Sequence, residues 1–114
     1  MVELTHADRA LLHGNFERIA MELQLERRRQ ITEEGFNPKH DEQHGGGELA
    51  KAAAAYIAGA LFGRAFAIGF WPWDPAGFKP KDPRRDLVRA GALVIAAIER
   101  LDREALAQGE VEGA

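Results

Sequence analysis

Hydrophobic residues in the first third of the chain recur at Leu12, Phe16, Ile19 and Leu23, a rhythm of four, three and four that predicts one helix with a single apolar face. Thr5 with Asp8 three residues on has capping-box spacing, so this helix is expected to start near His6 and run to about Glu34, with an irregularity at Gly14-Asn15. Gly35 ends it. Continuing the rhythm past Leu23 gives Glu26, Gln30 and Glu33, so the inward face changes from hydrocarbon to carboxylate and amide. Buried acids must be paired, hydrogen-bonded or bound to a cation.

Phe36 to Gly47 reads as a polar loop closed by three glycines, after which Glu48 opens a second helix. Its face is Leu49, Ala53, Tyr56 and Ala60, while Ala50, Ala52, Ala54, Ala55, Gly59 and Gly63 keep the rest thin enough for close helix approach. It should fail by Gly69, before a proline-punctuated aromatic and basic connector from Phe70 to Lys81. Asp82-Pro83 supplies an N-cap and a first-turn proline for a third helix ending near Ala107. Leu87, Gly91, Val94, Ile98 and Leu101 mark its apolar side, and Arg85, Arg89, Glu99, Arg100, Asp102 and Arg103 its polar side. No segment alternates as a strand would. The expected fold is all-α: one domain over residues 1–107, a compact bundle of three to four helices completed by dimerisation at the small-residue face of the second helix, then a flexible tail at 108–114.

Composition narrows the function classes. A chain of 114 residues is one domain, near the size where an oligomer partner helps. A net charge of −3 argues against a large nucleic-acid surface, and the absence of cysteine restricts any metal site to oxygen and imidazole ligands, favouring Mg2+ or Mn2+ over zinc. The start of the chain carries Glu3, His6 and Asp8 rather than a basic and apolar leader, and Arg64 interrupts the apolar stretch Ala52 to Trp73. A cytoplasmic protein without a membrane span is therefore expected.

Candidate metal ligands are Glu26, Glu34, Asp41, Glu48 and Asp86, drawn from three segment ends that a folded loop would bring together. Glu48 and Asp86 are equally well explained as first-turn partners of the helix dipole. His40-Asp41-Glu42-Gln43-His44 departs from the HExxH zinc pattern, because Asp41 follows the first histidine and Pro38 and Gly45 leave little room for a helix. Trp71 and Trp73 beside Lys79, Lys81 and Arg85 offer a stacking surface with cations for phosphate, or a structural plug for the bundle end. Arg84 and Arg85 sit at a helix N-terminus, where the dipole opposes cations unless an acid or a phosphate faces them. The run Arg27-Arg28-Arg29 reads as a solvated face from which one guanidinium turns inward to an acid.

Glu26-Arg27-x-Arg29-Gln30, Glu34-Gly35-Phe36, His40-Asp41-x-x-His44, Gly47-Glu48-Leu49-Ala50 with Tyr56, Phe70-Trp71-Pro72-Trp73 and Arg84-Arg85-Asp86-Leu87 through Asp102 resemble a family of small bacteriophage and prophage proteins, over about residues 22 to 103. Some of these look like divergent relatives of the MazG-type all-α nucleoside triphosphate pyrophosphohydrolases, in which ExxE and ExxD acids hold magnesium or manganese. The resemblance implies metal-dependent cleavage of a (d)NTP to its monophosphate and pyrophosphate in a bacterial host cytoplasm. Glu48, Asp86 and Glu34 would be catalytic, Gln30, His44, Trp71, Trp73, Lys79, Lys81 and Arg85 would hold the nucleotide, and the protein would be a homodimer or higher homo-oligomer. The partner acid of each motif is missing: Glu48 has Gly45 three residues before it and Lys51 three after it, and Asp86 matches the last acid of ExxD with Pro83 in the place of its glutamate. The alternative is a non-enzymatic helical module that binds a host protein, and a nucleic-acid binder using the Trp-Lys-Arg connector comes third.

Overall fold

A computed structural model describes residues 5–11, 15–37, 40 and 47–109, and every regular element among them is helical. The helices are α1 (His6–Leu11), α2 (Glu17–Thr32), α3 (Glu48–Phe62), α4 (Arg64–Ala67) and α5 (Pro83–Ala107), with short 3-10 turns at Ile68–Phe70 and Pro75–Gly77. The expected first helix is thus represented by α1 and α2. Gly14 of the expected irregularity lies outside the described residues, as do Asp41, His44 and the tail from residue 110.

Local chemistry sets the helix ends. After α2 the backbone turns at Gly35, whose φ of +76° suits a residue without Cβ, and the Phe36 N–H donates to the Gln30 carbonyl at 2.9 Å. Gly63, at φ +87° and ψ 170°, interrupts the second helix between α3 and α4, in a backbone region that essentially only glycine occupies. Asp82 caps α5 by accepting from the Arg85 N–H at 2.9 Å, with Pro83 in the first turn.

α5 is the central element, packed against both α3 and α2. The core between α3 and α5 is built largely of alanine: Ala52, Ala53, Ala55, Ala58, Ala90 and Ala96, closed by Leu49, Leu93, Tyr56 and Phe78. Such small side chains allow close helix approach but contribute only about 0.8 kcal/mol per buried carbon. Of the small residues of the second helix, Ala52 and Ala55 are buried within the chain, while Ala50 and Gly63 are exposed.

A correction concerns α5. The stripe expected to face the core is exposed, with Leu87 at 51%, Val94 at 41%, Ile98 at 52% and Leu101 at 59% of their possible surface. Asp86, Val88, Arg89, Ala90, Ala92, Leu93 and Ala96 are buried instead. α5 has two low-polarity faces, and the alanine-rich one matches the alanine-rich α3. The chain measures 47 × 40 × 23 Å with a radius of gyration of 16.2 Å. A compact domain of this length would have about 13 Å, and 23 Å is the thickness of about two helices. No helix among the described residues is long and apolar enough to cross a membrane.

Candidate functional site

Of the face that the rhythm of α2 marks as inward, Glu26 and Gln30 lie in the interior, each 2% exposed, whereas Phe16 at 62%, Ile19 at 43% and Glu33 are exposed, which corrects the expected burial of the hydrocarbon part of that face. The Glu26 carboxylate accepts four hydrogen bonds. Oε1 takes Arg29 Nε at 2.9 Å and Arg85 Nη2 at 2.5 Å, and Oε2 takes Arg29 Nη2 at 2.9 Å and Gln30 Nε2 at 3.4 Å. Burial alone would raise the Glu26 pKa, but the Arg29 and Arg85 guanidiniums outweigh it and hold the carboxyl below its ordinary value. The acid is thereby kept ionised. Arg29 also reaches Glu34 at 3.1 Å.

Gln30 connects this cluster to α5. Its Nε2 donates to the Arg89 carbonyl at 3.3 Å as well as to Glu26, and two acceptors on one side fix which end of the amide is nitrogen. Oε1 consequently faces the other way, buried and without a partner. Arg89, 8% exposed, donates through Nη1 to the Lys79 carbonyl and lies 5.7 Å over the Tyr56 ring, while its Nε is buried and unpartnered. The Tyr56 hydroxyl accepts from the Lys79 N–H at 3.3 Å, and burial raises the phenol pKa.

These groups, together with Phe36, Trp71, Gly77 and Leu93, line one narrow cleft whose cavity holds about 30 Å3, the share of a single water, and reaches about 350 Å3 only when gaps and the open solvent at its mouth are counted. Trp71 stands edge-on to Tyr56 with ring centroids 5.7 Å apart, and its indole N–H donates to the Asp74 carbonyl at 2.8 Å. Arg29, Lys79, Arg85 and Arg89 supply four positive charges in and beside the cleft. Glu26, Glu34 and the nearby buried Asp86 supply three negative ones, which leaves an excess of one cation.

The remaining candidates are distributed as follows. Asp86 is 1% exposed and accepts from the Lys81 backbone N–H at 2.8 Å, so the connection to Lys81 runs through its backbone. Glu48 lines a different depression with Lys51, Gly69, Phe70, Trp71 and Pro72. It precedes Tyr56 by eight residues, about 12 Å along the helix axis. Trp73 belongs to an aromatic cluster with Phe36 and His40, at centroid distances of 5.4 and 5.7 Å. Acids do face the first-turn arginines of α5: Arg84 pairs with Glu22 through two contacts of 2.7 Å, and Arg85 pairs with Glu26. The inward member of the arginine run is Arg27, which bonds Glu99 at 2.9 Å and the Phe36 carbonyl at 2.8 Å.

Arg89 and Tyr56 are cleft residues that the sequence reading placed on a polar side and on a packing face. A signal for Arg89 was present: Asp86, Arg89, Leu93 and Ala96 recur at steps of three, four and three. The described carboxylates do not fit a divalent-metal centre. All four acceptor sites of Glu26 are occupied by nitrogen donors, and among the described residues no three His, Asp or Glu side chains are grouped to hold an ion. Comparison with protein-family models, curated proteins and solved structures finds no match for the chain.

Proposed function

We propose that the cleft between α2, α5 and the connector opens from its present room of about 30 Å3 to bind a nucleotide, its phosphate set against the surplus cation and its ring among Phe36, Tyr56 and Trp71. What carries this reading is the pair of unmet polar atoms, Gln30 Oε1 and Arg89 Nε. Leaving a buried donor or acceptor unsatisfied costs about 1–3 kcal/mol, and a ligand edge that offers one N–H and one acceptor removes both penalties. Nucleobases present such edges. Arg29, Lys79 and Arg89 are the cations within reach of the anionic end, and the aromatic rings supply stacking surface.

Hydrolysis of a (d)NTP to monophosphate and pyrophosphate is the stronger form of this proposal. It rests on the resemblance to MazG-type enzymes and requires Mg2+ or Mn2+ ligands beyond the described carboxylates, with Asp41 and His44 the candidates. The experiment is thermal unfolding and calorimetry with each dNTP, its monophosphate and pyrophosphate, with and without manganese, followed by chromatography for products. Binding without turnover supports the nucleotide site alone; manganese-dependent monophosphate release supports the enzyme. No shift with any nucleotide refutes both.

A second reading, a non-enzymatic module that binds a host protein, is favoured by the exposed rings of Phe62, Phe66 and Phe70, which contact one another at 5.2 and 5.6 Å. Retention of partner binding by Arg89→Met, with loss by Phe66→Glu, would support it.

A further inference from the structure

Helix α2 is held to α5 mainly by charge. The residues it buries are Glu26, Arg27 and Gln30, all polar, whereas its hydrocarbons Ile19, Met21 and Leu25 are 43%, 53% and 55% exposed. The junction of α3 with α5 is the opposite, closed by leucine and alanine. Three ion pairs bridge α2 to α5: Glu22 with Arg84 at 2.7 Å, Glu26 with Arg85 at 2.5 Å and Arg27 with Glu99 at 2.9 Å. One member of each pair, Arg84, Arg85 or Glu99, keeps 62%, 35% or 48% of its side-chain surface, so water and salt compete for all three. Leu23, resting on Gly91, adds an apolar contact.

The same helix walls the cleft. Glu26, Arg29 and Gln30 lie on α2 with Glu34 just beyond it, while Tyr56, Arg89 and Leu93 opposite belong to α3 and α5. Past the helix the chain is anchored, since Phe36 packs against the core and lies 5.4 Å from the Trp73 ring. Between the two stands Gly35, at φ +76°. We infer that α2 is a lid on the cleft, which lifts about Gly35 when its ion pairs to α5 part and closes over a bound molecule. The guest's identity rests on the nucleotide reading above; the motion does not. Bonds from Arg27 to the Phe36 carbonyl and from the Phe36 N–H to the Gln30 carbonyl steady the pivot, so the end that bears Glu22 travels furthest. A tilt of about 20° moves Glu26, about 14 Å from Gly35 along the helix, by about 5 Å, more than the thickness of an aromatic ring. That is the room the closed cleft lacks. An anionic guest also competes with Glu26 for Arg29 and Arg85, so its entry loosens one of the three latches.

Hydrogen exchange on the full chain tests the motion without any ligand. Raising sodium chloride from about 0.1 M to about 1 M shortens the Debye length from about 10 Å to about 3 Å, and should speed exchange of the α2 amides at least about 10-fold while those of α3 stay slow. Leu23→Cys with Gly91→Cys tests the role. A Cβ at Gly91 would lie 3.5 Å from Leu23 Cγ, within reach of a disulfide, and the chain has no native cysteine to interfere. Oxidised, this double variant should take up each of the four dNTPs at least about 10-fold more slowly than the same protein reduced. Amides of α2 that stay as protected as those of α3 at both salt concentrations overturn the lid. Equal uptake by the oxidised and reduced forms overturns it as well. If neither form binds a nucleotide while α2 exchange responds to salt, the nucleotide reading falls and the moving helix stands.

Discussion

Replacing Glu26 by Gln tests how the buried carboxylate is satisfied. The substitution preserves volume and one carbonyl oxygen, but removes the charge that two guanidiniums share at 2.5 to 2.9 Å. Breaking a fully buried ion pair costs about 3–5 kcal/mol. Here the Arg29 and Arg85 side chains keep 29% and 35% of their surface, so water reclaims part of the loss. Discounted for that screening, the expected destabilisation is about 2–3 kcal/mol, a large share of the roughly 5–15 kcal/mol typical of a domain.

Urea unfolding near neutral pH should show a lower midpoint with an unchanged slope. The pH dependence has a definite sign. Because the folded carboxyl titrates below its unfolded value of 4.5, its contribution is fully present above 4.5 and is lost as pH falls toward the folded pKa. Glu26→Gln should therefore flatten the acid limb of the wild-type stability curve. Glu22→Gln, which removes the exposed partner of Arg84, should leave the midpoint nearly unmoved. A loss under about 0.5 kcal/mol for Glu26→Gln would refute the pairing. Manganese stabilisation of the wild type that disappears in the variant would refute it differently, by making the acid a metal ligand.

Gly63→Ala should destabilise by about 1–3 kcal/mol in the same urea assay, since φ +87° with ψ 170° penalises any Cβ, whereas Gly69→Ala, with no atom within 4 Å of the added carbon, should be tolerated. Asp82→Ala removes the acceptor for the Arg85 N–H and should cost about 1 kcal/mol, largely restored by Asp82→Ser. The Tyr56 phenol should ionise above 10.0 in an absorbance titration, because burial raises it; a midpoint at or below that value would refute its burial.

Three helix boundaries were legible because they depend on local chemistry: Asp82-Pro83 starts α5, Gly35 follows the end of α2, and Gly47, at φ +91°, precedes α3; the break at Gly63 was not, because an alanine-rich run with scattered glycines reads as one helix to Gly69. Burial of Glu26 and Gln30 was legible from the rhythm of α2, although the same rhythm wrongly turned Phe16, Ile19 and Glu33 inward. How the acid is satisfied was not. A sequence shows that a buried carboxylate needs positive charge near it, but guanidinium and metal meet that need equally well, and only the packing of α2 against α5 brings Arg85 to Glu26. Arg89 was hidden for a related reason. Composition classes it as polar, while its position on the Asp86-Leu93-Ala96 face gives it a backbone acceptor at Lys79 and an aromatic face at Tyr56.

Helix α5 explains why hydrophobic volume alone misidentified the core. Its Leu-Val-Ile-Leu stripe is bulkier than its alanine face, so periodicity assigns the inside to the wrong side. Alanine wins the contact with α3 because both surfaces are thin, and thin surfaces also bring the backbone close enough for Arg89 and Gln30 to be held by carbonyls. The polar cleft and the exposed stripe are therefore two consequences of one choice: turning the small and ionic face of α5 inward builds a charged interior and leaves the bulky face outside. Stabilisation then rests on the few large side chains that close the alanine core, so Leu93→Ala, at a site 1% exposed, should cost about 2–5 kcal/mol in urea unfolding, and a loss under about 1 kcal/mol would refute that dependence.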